Sequence, residues 1–155
     1  MPNLESYFAI DGILSKFIPE YRARVHQKDM AEMVADTIAN SNILIAEAGT
    51  GTGKTLAYLV PALLAGAKII ISTGTKTQQD QIFKRDIHTV QSALNVPVKI
   101  ALLKGRANYV CHYNLEHTVK EGFLSRNDQE YLKLIERYAE SSKNGDKSGI
   151  NGVPE

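Results

Sequence analysis

Apolar and polar positions follow two different spacings along the chain, and their alternation predicts helices separated by short strands. Three short apolar runs are typical of buried strands: residues 43–46, 68–72 and 98–103. Apolar positions in residues 56–64 and 83–94, which lie between these runs, instead recur at helical spacing. Strands that alternate with helices of this length indicate parallel βαβ units. The pattern therefore predicts an α/β fold whose parallel βαβαβ sheet is flanked by helices.

Local signals mark the ends of several predicted helices. The Asn-Ser-Asn segment at 40–42 ends the helical pattern that precedes it. Thr75 and Gln78 match the capping box, in which the threonine side chain caps the first turn. Ser125 is placed to cap a further helix. Pro61 has no backbone N–H and lies inside a predicted helix, which it should bend or split.

Length and composition are those of one globular domain, with 155 residues, 43% hydrophobic and 23% charged. A parallel sheet must be covered on both faces and usually has more strands than the pattern supplies. The sequence therefore looks like part of a larger domain. We expect residues 1–104 to hold the front half of that domain, residues 105–140 to be mostly helical, and residues 141–155 to form a flexible polar tail.

Charge and cysteine content exclude some classes of protein. The formal net charge is +1, so a nucleic-acid partner has to be argued from local groups. The single cysteine excludes an internal disulfide framework and fits a reducing compartment. The first residues lack the pattern of a secretory signal, and the most apolar stretch is too interrupted to span a bilayer. These observations predict a cytoplasmic protein without membrane contact.

The Gly-rich segment after the first apolar run carries the strongest functional signal. It reads Ala-Gly-Thr-Gly-Thr-Gly-Lys-Thr and matches the phosphate-binding Walker A pattern, except that alanine replaces the first glycine. The glycines let successive backbone amides converge on an anion, and the helix that follows adds its positive end. Lys54 should reach the β- and γ-phosphates of ATP, and the Thr55 hydroxyl should bind Mg²⁺, which makes these two the predicted catalytic residues. The predicted nucleotide-binding residues of this loop are Ala48, Gly49, Thr50, Gly51, Thr52, Gly53, Lys54 and Thr55.

Phosphoryl transfer needs more groups than this loop supplies. An acidic group on Mg²⁺, a group that orients water and usually an arginine are also required, and no apolar run here ends in an Asp-Glu pair. Two classes stay open beside a motor enzyme: a small P-loop kinase and a non-catalytic nucleotide- or DNA-binding module. A kinase would need an arginine-rich lid, for which residues 103–113 offer only Arg106.

Four sequence blocks together resemble the superfamily-two DNA helicases of the XPD/DinG type. They follow one another in the family's order: residues 24–30, 47–55, 71–82 and 103–111. The resemblance implies a partial RecA-like P-loop motor domain that uses ATP and Mg²⁺. It also implies a complete protein that unwinds duplex DNA in the 5′-to-3′ direction during replication or repair and binds single-stranded DNA. This chain would be its N-terminal part, inactive as a helicase in isolation.

The first block resembles the family's adenine-reading Q motif, with Arg24 and Gln27 in the matching positions. A glutamine amide can pair with the N6 and N7 edge of adenine. From the residues alone, Gln27 is better explained as an exposed residue at the start of a helix. The resemblance implies adenine recognition instead.

The third block resembles motif Ia, which contacts the backbone of single-stranded DNA. Thr73, Thr75 and Gln79 lie at the start of a predicted helix, where backbone amides can bind phosphate. Thr75 equally fits the role of an ordinary helix cap. In the fourth block, Lys104 and Arg106 are further candidates for a DNA phosphate, with a solvated basic loop as the alternative.

The fourth block also resembles the entry to the family's iron–sulfur insertion, which would begin in residues 105–140. Cys111 then matches the first of four cysteines that hold a four-iron cluster. Without the resemblance, a lone cysteine would be taken for a buried apolar residue. Because a cluster normally needs four thiolates, we expect it in the complete protein and not in this chain.

Overall fold

The computed structural model describes residues 3–122 and 125–153. The chain divides between Ala101 and Leu102 into two compact units. All regular elements within the described residues are helical. None of these helices combines the length and the apolar character that crossing a bilayer requires.

The first unit, described over residues 3–101, is built from short and medium helices. Its α-helices are α1 (Glu5–Phe8), α2 (Ile13–Phe17), α3 (Val25–Ala39), α4 (Lys54–Leu64), α5 (Lys76–Gln81) and α6 (Ile87–Leu94). A π-helical turn, Ile82–Asp86, joins α5 to α6. The order of these helices along the chain agrees with the helical segments predicted from the hydrophobic spacing.

Contacts between helices form the core of the first unit. α3 packs along α4, and α6 packs against both α2 and α4. Leu14, Leu59, Val60 and Val90 are fully buried at these contacts. Burying one aliphatic side chain of this size stabilises a fold by about 1.5–3 kcal/mol. The apolar stripes of the helices therefore hold this unit together.

The predicted parallel sheet is wrong, because the structure contains no β-strand within the described residues. The three apolar runs at 43–46, 68–72 and 98–103 lie in irregular segments and contain no strand. Ile43 and Ile45 are 93% and 96% exposed. An extended run becomes a strand only when a neighbouring segment pairs with its backbone N–H and C=O groups. Here the helices bury their apolar faces against each other, and Ile71 and Ile100 of the second and third runs pack against that helical core instead of against a sheet.

The local helix signals are largely confirmed. The backbone N–H of Gln78 donates to the Thr75 hydroxyl at 3.2 Å, as the capping prediction required. α3 ends at Ala39, directly before the Asn-Ser-Asn segment. The predicted split at Pro61 is wrong, because α4 continues through this residue. The proline ring is buried, and its packing helps to offset the missing backbone hydrogen bond.

The second unit, described over residues 102–122 and 125–153, is a helical hairpin with a turn folded back on it. α7 (His112–Glu121) packs against α8 (Arg126–Ser141), and the Ser125 hydroxyl caps α8 by accepting from the Asp128 N–H at 3.2 Å. After α8 the chain reverses, and the Val110 N–H donates to the Gly145 carbonyl at 2.9 Å. These contacts fix part of the segment that was predicted to be a polar tail.

Candidate nucleotide-binding site

The phosphate loop, residues 48–53, leads from the first apolar run directly into the first turn of α4. Gly51 and Gly53 have φ angles of +75° and +85°, which L side chains rarely adopt. A Cβ atom on Gly53 would lie only 2.1 Å from the Gln27 amide nitrogen. The backbone turn therefore favours glycine at position 53, and a larger residue there would also displace the Gln27 amide. The loop's last residue is the N-cap of α4, so the positive end of that helix lies at the loop.

The Lys54 ammonium lies on the phosphate loop itself. Its Nζ donates to the carbonyls of Ala48 at 2.5 Å and Gly49 at 2.8 Å. The Thr52 hydroxyl donates to the same Gly49 carbonyl at 2.9 Å. The lysine is thus held by neutral oxygen dipoles at the mouth of the loop. A bound phosphate would offer this ammonium a charged oxygen, which is a stronger hydrogen-bond acceptor than a carbonyl.

Two side chains from the start of α3 support the loop from the other side. Gln27 is 4% exposed, and its Nε2 donates to the Gly53 carbonyl at 2.9 Å. An Arg24 guanidinium nitrogen donates to the Gly51 carbonyl. Gln27 is therefore buried, and the alternative of an exposed residue at a helix start is wrong. Adenine recognition by these two residues stays a prediction, since their observed partners are the loop carbonyls.

Thr55 lies in the first turn of α4, partly buried and next to a phenol and a carboxylate. Burial raises the pKa of Tyr58, the Thr55 side chain lowers it through a hydrogen bond, and the Asp86 carboxylate raises it. Asp86 itself accepts from Arg85 at 2.8 Å and from Gln81 at 3.1 Å. The Thr55 hydroxyl is a hard oxygen ligand, and it lies where the phosphate loop meets α4. This donor fits the Mg²⁺ ion that accompanies ATP.

A cavity of about 520 Å³ opens beside the loop in the first unit. Both apolar and polar side chains line it, which is typical of sites for small organic ligands. The lining residues are Phe17, Ile18, Pro19, Gly53, Thr55, Leu56, Gln81, Arg85, Asp86 and Thr89. Asp86 was not predicted from the sequence, because a lone acidic residue within a helix carries no local signal of its place in a site.

The residues predicted to contact DNA have two different environments. Thr75 is the N-cap of α5, and the Thr73 hydroxyl donates to its carbonyl at 3.2 Å. Arg106 is exposed in a short 3₁₀ turn, Arg106–Asn108. Lys104 is instead 8% exposed, with its Nζ 2.8 Å from an Asp146 carboxylate oxygen. DNA contact by Thr73, Thr75, Gln79, Lys104 and Arg106 stays a prediction.

The residues around Cys111 do not fit an iron–sulfur cluster. Cys111 is exposed as the N-cap of α7, so the alternative of a buried apolar residue is wrong. It supplies one thiolate where four are needed. Over residues 3–122 and 125–153, no group of three or more His, Cys, Asp or Glu side chains is placed to hold a metal ion.

Known proteins provide a comparison for this site. Residues 26–119 match the family model described as DEAD/DEAH box helicase. The ATP-dependent DNA helicase YoaA of Haemophilus influenzae is 46% identical over 145 residues, which are 93% of this chain and 23% of that protein. YoaA of Escherichia coli is 51% identical over 115 residues, which are 74% of this chain and 18% of that protein. The ATP-dependent helicase DinG of Mycobacterium tuberculosis (strain H37Rv) is 41% identical over 101 residues, which are 60% of this chain and 15% of that protein.

This chain spans less than a quarter of the length of these curated relatives. No solved structure matches it. The comparisons confirm the resemblance to DinG-type helicases that the four sequence blocks indicated, and they disfavour a small kinase. Because the family model covers more than half of the residues, the chain belongs to the DEAD/DEAH box helicase family.

Proposed function

We propose that this chain binds ATP and Mg²⁺ at the phosphate loop and supplies the nucleotide-binding part of a cytoplasmic ATP-dependent DNA helicase. The observation that carries the proposal is the joint hold on the loop by Arg24, Gln27 and Lys54. These side chains bond to four different carbonyls of one short loop, at Ala48, Gly49, Gly51 and Gly53. Lys54 changes partners when a ligand binds, but a loop already held by Arg24 and Gln27 loses little conformational freedom in that step.

The first chemical role belongs to Lys54 and Thr55. On binding, the Lys54 ammonium leaves the carbonyls of Ala48 and Gly49 for the β- and γ-phosphates of ATP. The backbone amides of the loop and the N-terminus of α4 then face the same phosphates. The Thr55 hydroxyl contributes one oxygen to Mg²⁺. The metal neutralises charge on the phosphates, and the chain's own residues position them.

The second role, discrimination between bases, is assigned to Arg24 and Gln27. Both side chains reach the loop from α3 and its N-cap. Gln27 would then link the base to the phosphate loop, because its side-chain amide would pair with the adenine edge while it still donates to the Gly53 carbonyl. A wrong base leaves this amide poorly paired in a buried position, which costs free energy.

The third role is contact with DNA. It is supported by the relatives, which are named ATP-dependent DNA helicases. Thr73, Thr75 and Gln79 are assigned to a single-stranded backbone, and Arg106 to a phosphate. We further propose 5′-to-3′ unwinding in DNA replication or repair for the whole protein. The iron–sulfur cluster is not assigned to this chain.

The proposal is tested by equilibrium binding of ATP, ADP and GTP with Mg²⁺ to the native chain and to three variants. Lys54→Ala should weaken ATP binding roughly 10- to 100-fold, because a hydrogen bond to a charged group contributes about 1.5–3 kcal/mol. Lys68→Ala, which removes an exposed lysine of the same unit, is the matched control and should change little.

Gln27→Ala separates two roles of that residue. Loss of base recognition would weaken the binding of ATP and leave the binding of GTP unchanged, so that the preference for ATP disappears. Loss of loop support alone would weaken the binding of both nucleotides by the same factor. Equal binding of ATP by the native chain and Lys54→Ala would contradict the proposed nucleotide site.

A further inference from the structure

A buried ion pair lies in the second unit, far along the sequence from the phosphate loop. Lys104 Nζ is 2.8 Å from an Asp146 carboxylate oxygen, and the two side chains are only 4% and 15% exposed. Such pairs often stabilise a fold no more than well-packed apolar residues would, because both ions lose their hydration. A buried lysine–carboxylate pair is therefore weak as an explanation of stability alone.

The Asp146 loop, defined as residues 142–149, contacts the Lys104 ammonium through Asp146 and, at 3.5 Å, through the Ser148 hydroxyl. The Ser148 N–H donates to the second carboxylate oxygen of Asp146 at 3.0 Å. The Tyr138 hydroxyl donates to the Asp146 carbonyl, and the Lys104 N–H donates to the Tyr109 hydroxyl at 2.8 Å. Burial raises the pKa of Asp146, but the hydrogen bonds from Lys104 and Ser148 outweigh it and lower the pKa to about 2. The carboxylate is thus fully ionised at neutral pH.

Charge is distributed unevenly over the two segments that meet here. Residues 104–110 and the Asp146 loop together carry four basic side chains and one carboxylate: Lys104, Arg106, Lys143 and Lys147, with Asp146. The backbone hydrogen bond between Val110 and Gly145 and the bridge between Tyr109 and Asp146 bring the segments together. These two adjoining segments, called here the basic face, carry an excess of positive charge that attracts polyanions. Phosphate oxygens can replace a carboxylate as partners of a lysine.

We propose that this face binds the phosphate backbone of a nucleic acid, and that Asp146 holds Lys104 until a phosphate replaces the carboxylate. The proposal rests on the DNA contact assigned under the proposed function and adds its control. Arg106, Lys143 and Lys147 are exposed and provide the first attraction. Lys104 joins them when the Asp146 loop opens, so the closed form binds nucleic acid more weakly than the open form.

The first experiment measures fluorescence anisotropy of a labelled single-stranded oligonucleotide with the full chain. Asp146→Asn should bind at least about threefold tighter, because it removes the charged partner with which a phosphate must compete for Lys104. Glu140→Gln is the matched control, since it removes one exposed carboxylate from α8 in the same unit. It should change affinity by less than about 1.5-fold, the size of a general charge effect. The gain should vanish in the double variant Asp146→Asn with Lys104→Gln.

Tyr138→Phe tests the same idea without any change of charge. It removes the hydroxyl that binds the Asp146 carbonyl and should tighten oligonucleotide binding by about 1.5- to 2-fold, the factor expected for loss of part of one hydrogen bond. Acylation of lysines, followed by mass spectrometry, gives a readout without nucleic acid. Labelling of Lys104 relative to Lys143 should rise in Tyr138→Phe and in Asp146→Asn. If Asp146→Asn fails to fold, Tyr138→Phe decides the question by both readouts.

Each contrary result has a distinct meaning. Oligonucleotide binding that is equal in Asp146→Asn and Glu140→Gln would overturn the inference and leave the proposed DNA contact standing. Binding by none of the proteins would overturn the inference together with the proposed DNA contact. Inorganic phosphate at the same phosphate concentration should compete poorly, because it presents no neighbouring phosphates. Full competition would assign the site to free phosphate and overturn the nucleic-acid assignment.

Discussion

Two lysines in the two units are held by oxygen atoms, but the oxygens differ in charge. Lys54 donates to neutral backbone carbonyls of the phosphate loop. Lys104 is buried against the ionised carboxylate of Asp146. Exchanging a carbonyl for a phosphate gains a charged partner, whereas exchanging a carboxylate for a phosphate swaps one charge for another. Under the proposed function, Lys54 therefore gains a charged partner when ATP binds. Lys104 must first lose its contact with Asp146 before it can bind a phosphate.

The comparison is tested most strongly by removing each ammonium in turn. Lys104→Met should lower the free energy of unfolding by about 2 kcal/mol, because it leaves a mostly buried carboxylate without its counterion. Lys54→Met should lower it by less than about 0.5 kcal/mol, since the carbonyls it abandons can bind water at the exposed loop. Urea denaturation followed by circular dichroism measures both. Equal losses in the two variants would mean that the difference between the partners has no energetic consequence.

The pH dependence of stability is a smaller effect that also distinguishes the charged partner of Lys104 from the neutral partners of Lys54. The pKa of Asp146 is lowered from its ordinary 3.8 to about 2. A carboxylate whose pKa is lower in the folded state contributes stability above about pH 4, and loses it as the pH falls through about 2. The native chain should therefore be more stable than Asp146→Asn at pH 7, with a gap that closes between about pH 4 and pH 2.

The gap between the native chain and Lys54→Met serves as the control in that titration. It should stay constant over the same pH range, because backbone carbonyls do not titrate. Denaturation midpoints measured at intervals from pH 7 to pH 2 give both curves. A gap between the native chain and Asp146→Asn that stays constant would contradict the low pKa of Asp146 and the strength of its pairing with Lys104.

Local features of this molecule were predictable from sequence, and features that depend on distant partners were not. Thr75 and Ser125 cap helices as predicted, because a cap needs only the next three residues. The apolar runs were wrongly predicted to be strands, because pairing into a sheet depends on segments far apart in sequence, and it does not occur within the described residues. The bond from Gln27 to Gly53 likewise joins residues 26 positions apart. The Walker A spacing indicated the site and the family resemblance named Arg24 and Gln27, but only the structure gave their bonds to the loop carbonyls.

The central claim is that the phosphate loop binds ATP through Lys54, and protection of lysines from acylation tests it most directly. The native chain is labelled with and without ATP and Mg²⁺, and the modification of each lysine is quantified by mass spectrometry. The account predicts that ATP lowers the labelling of Lys54 several-fold and leaves Lys68 and Lys104 unchanged. Labelling of Lys54 that is the same with and without saturating ATP would contradict it.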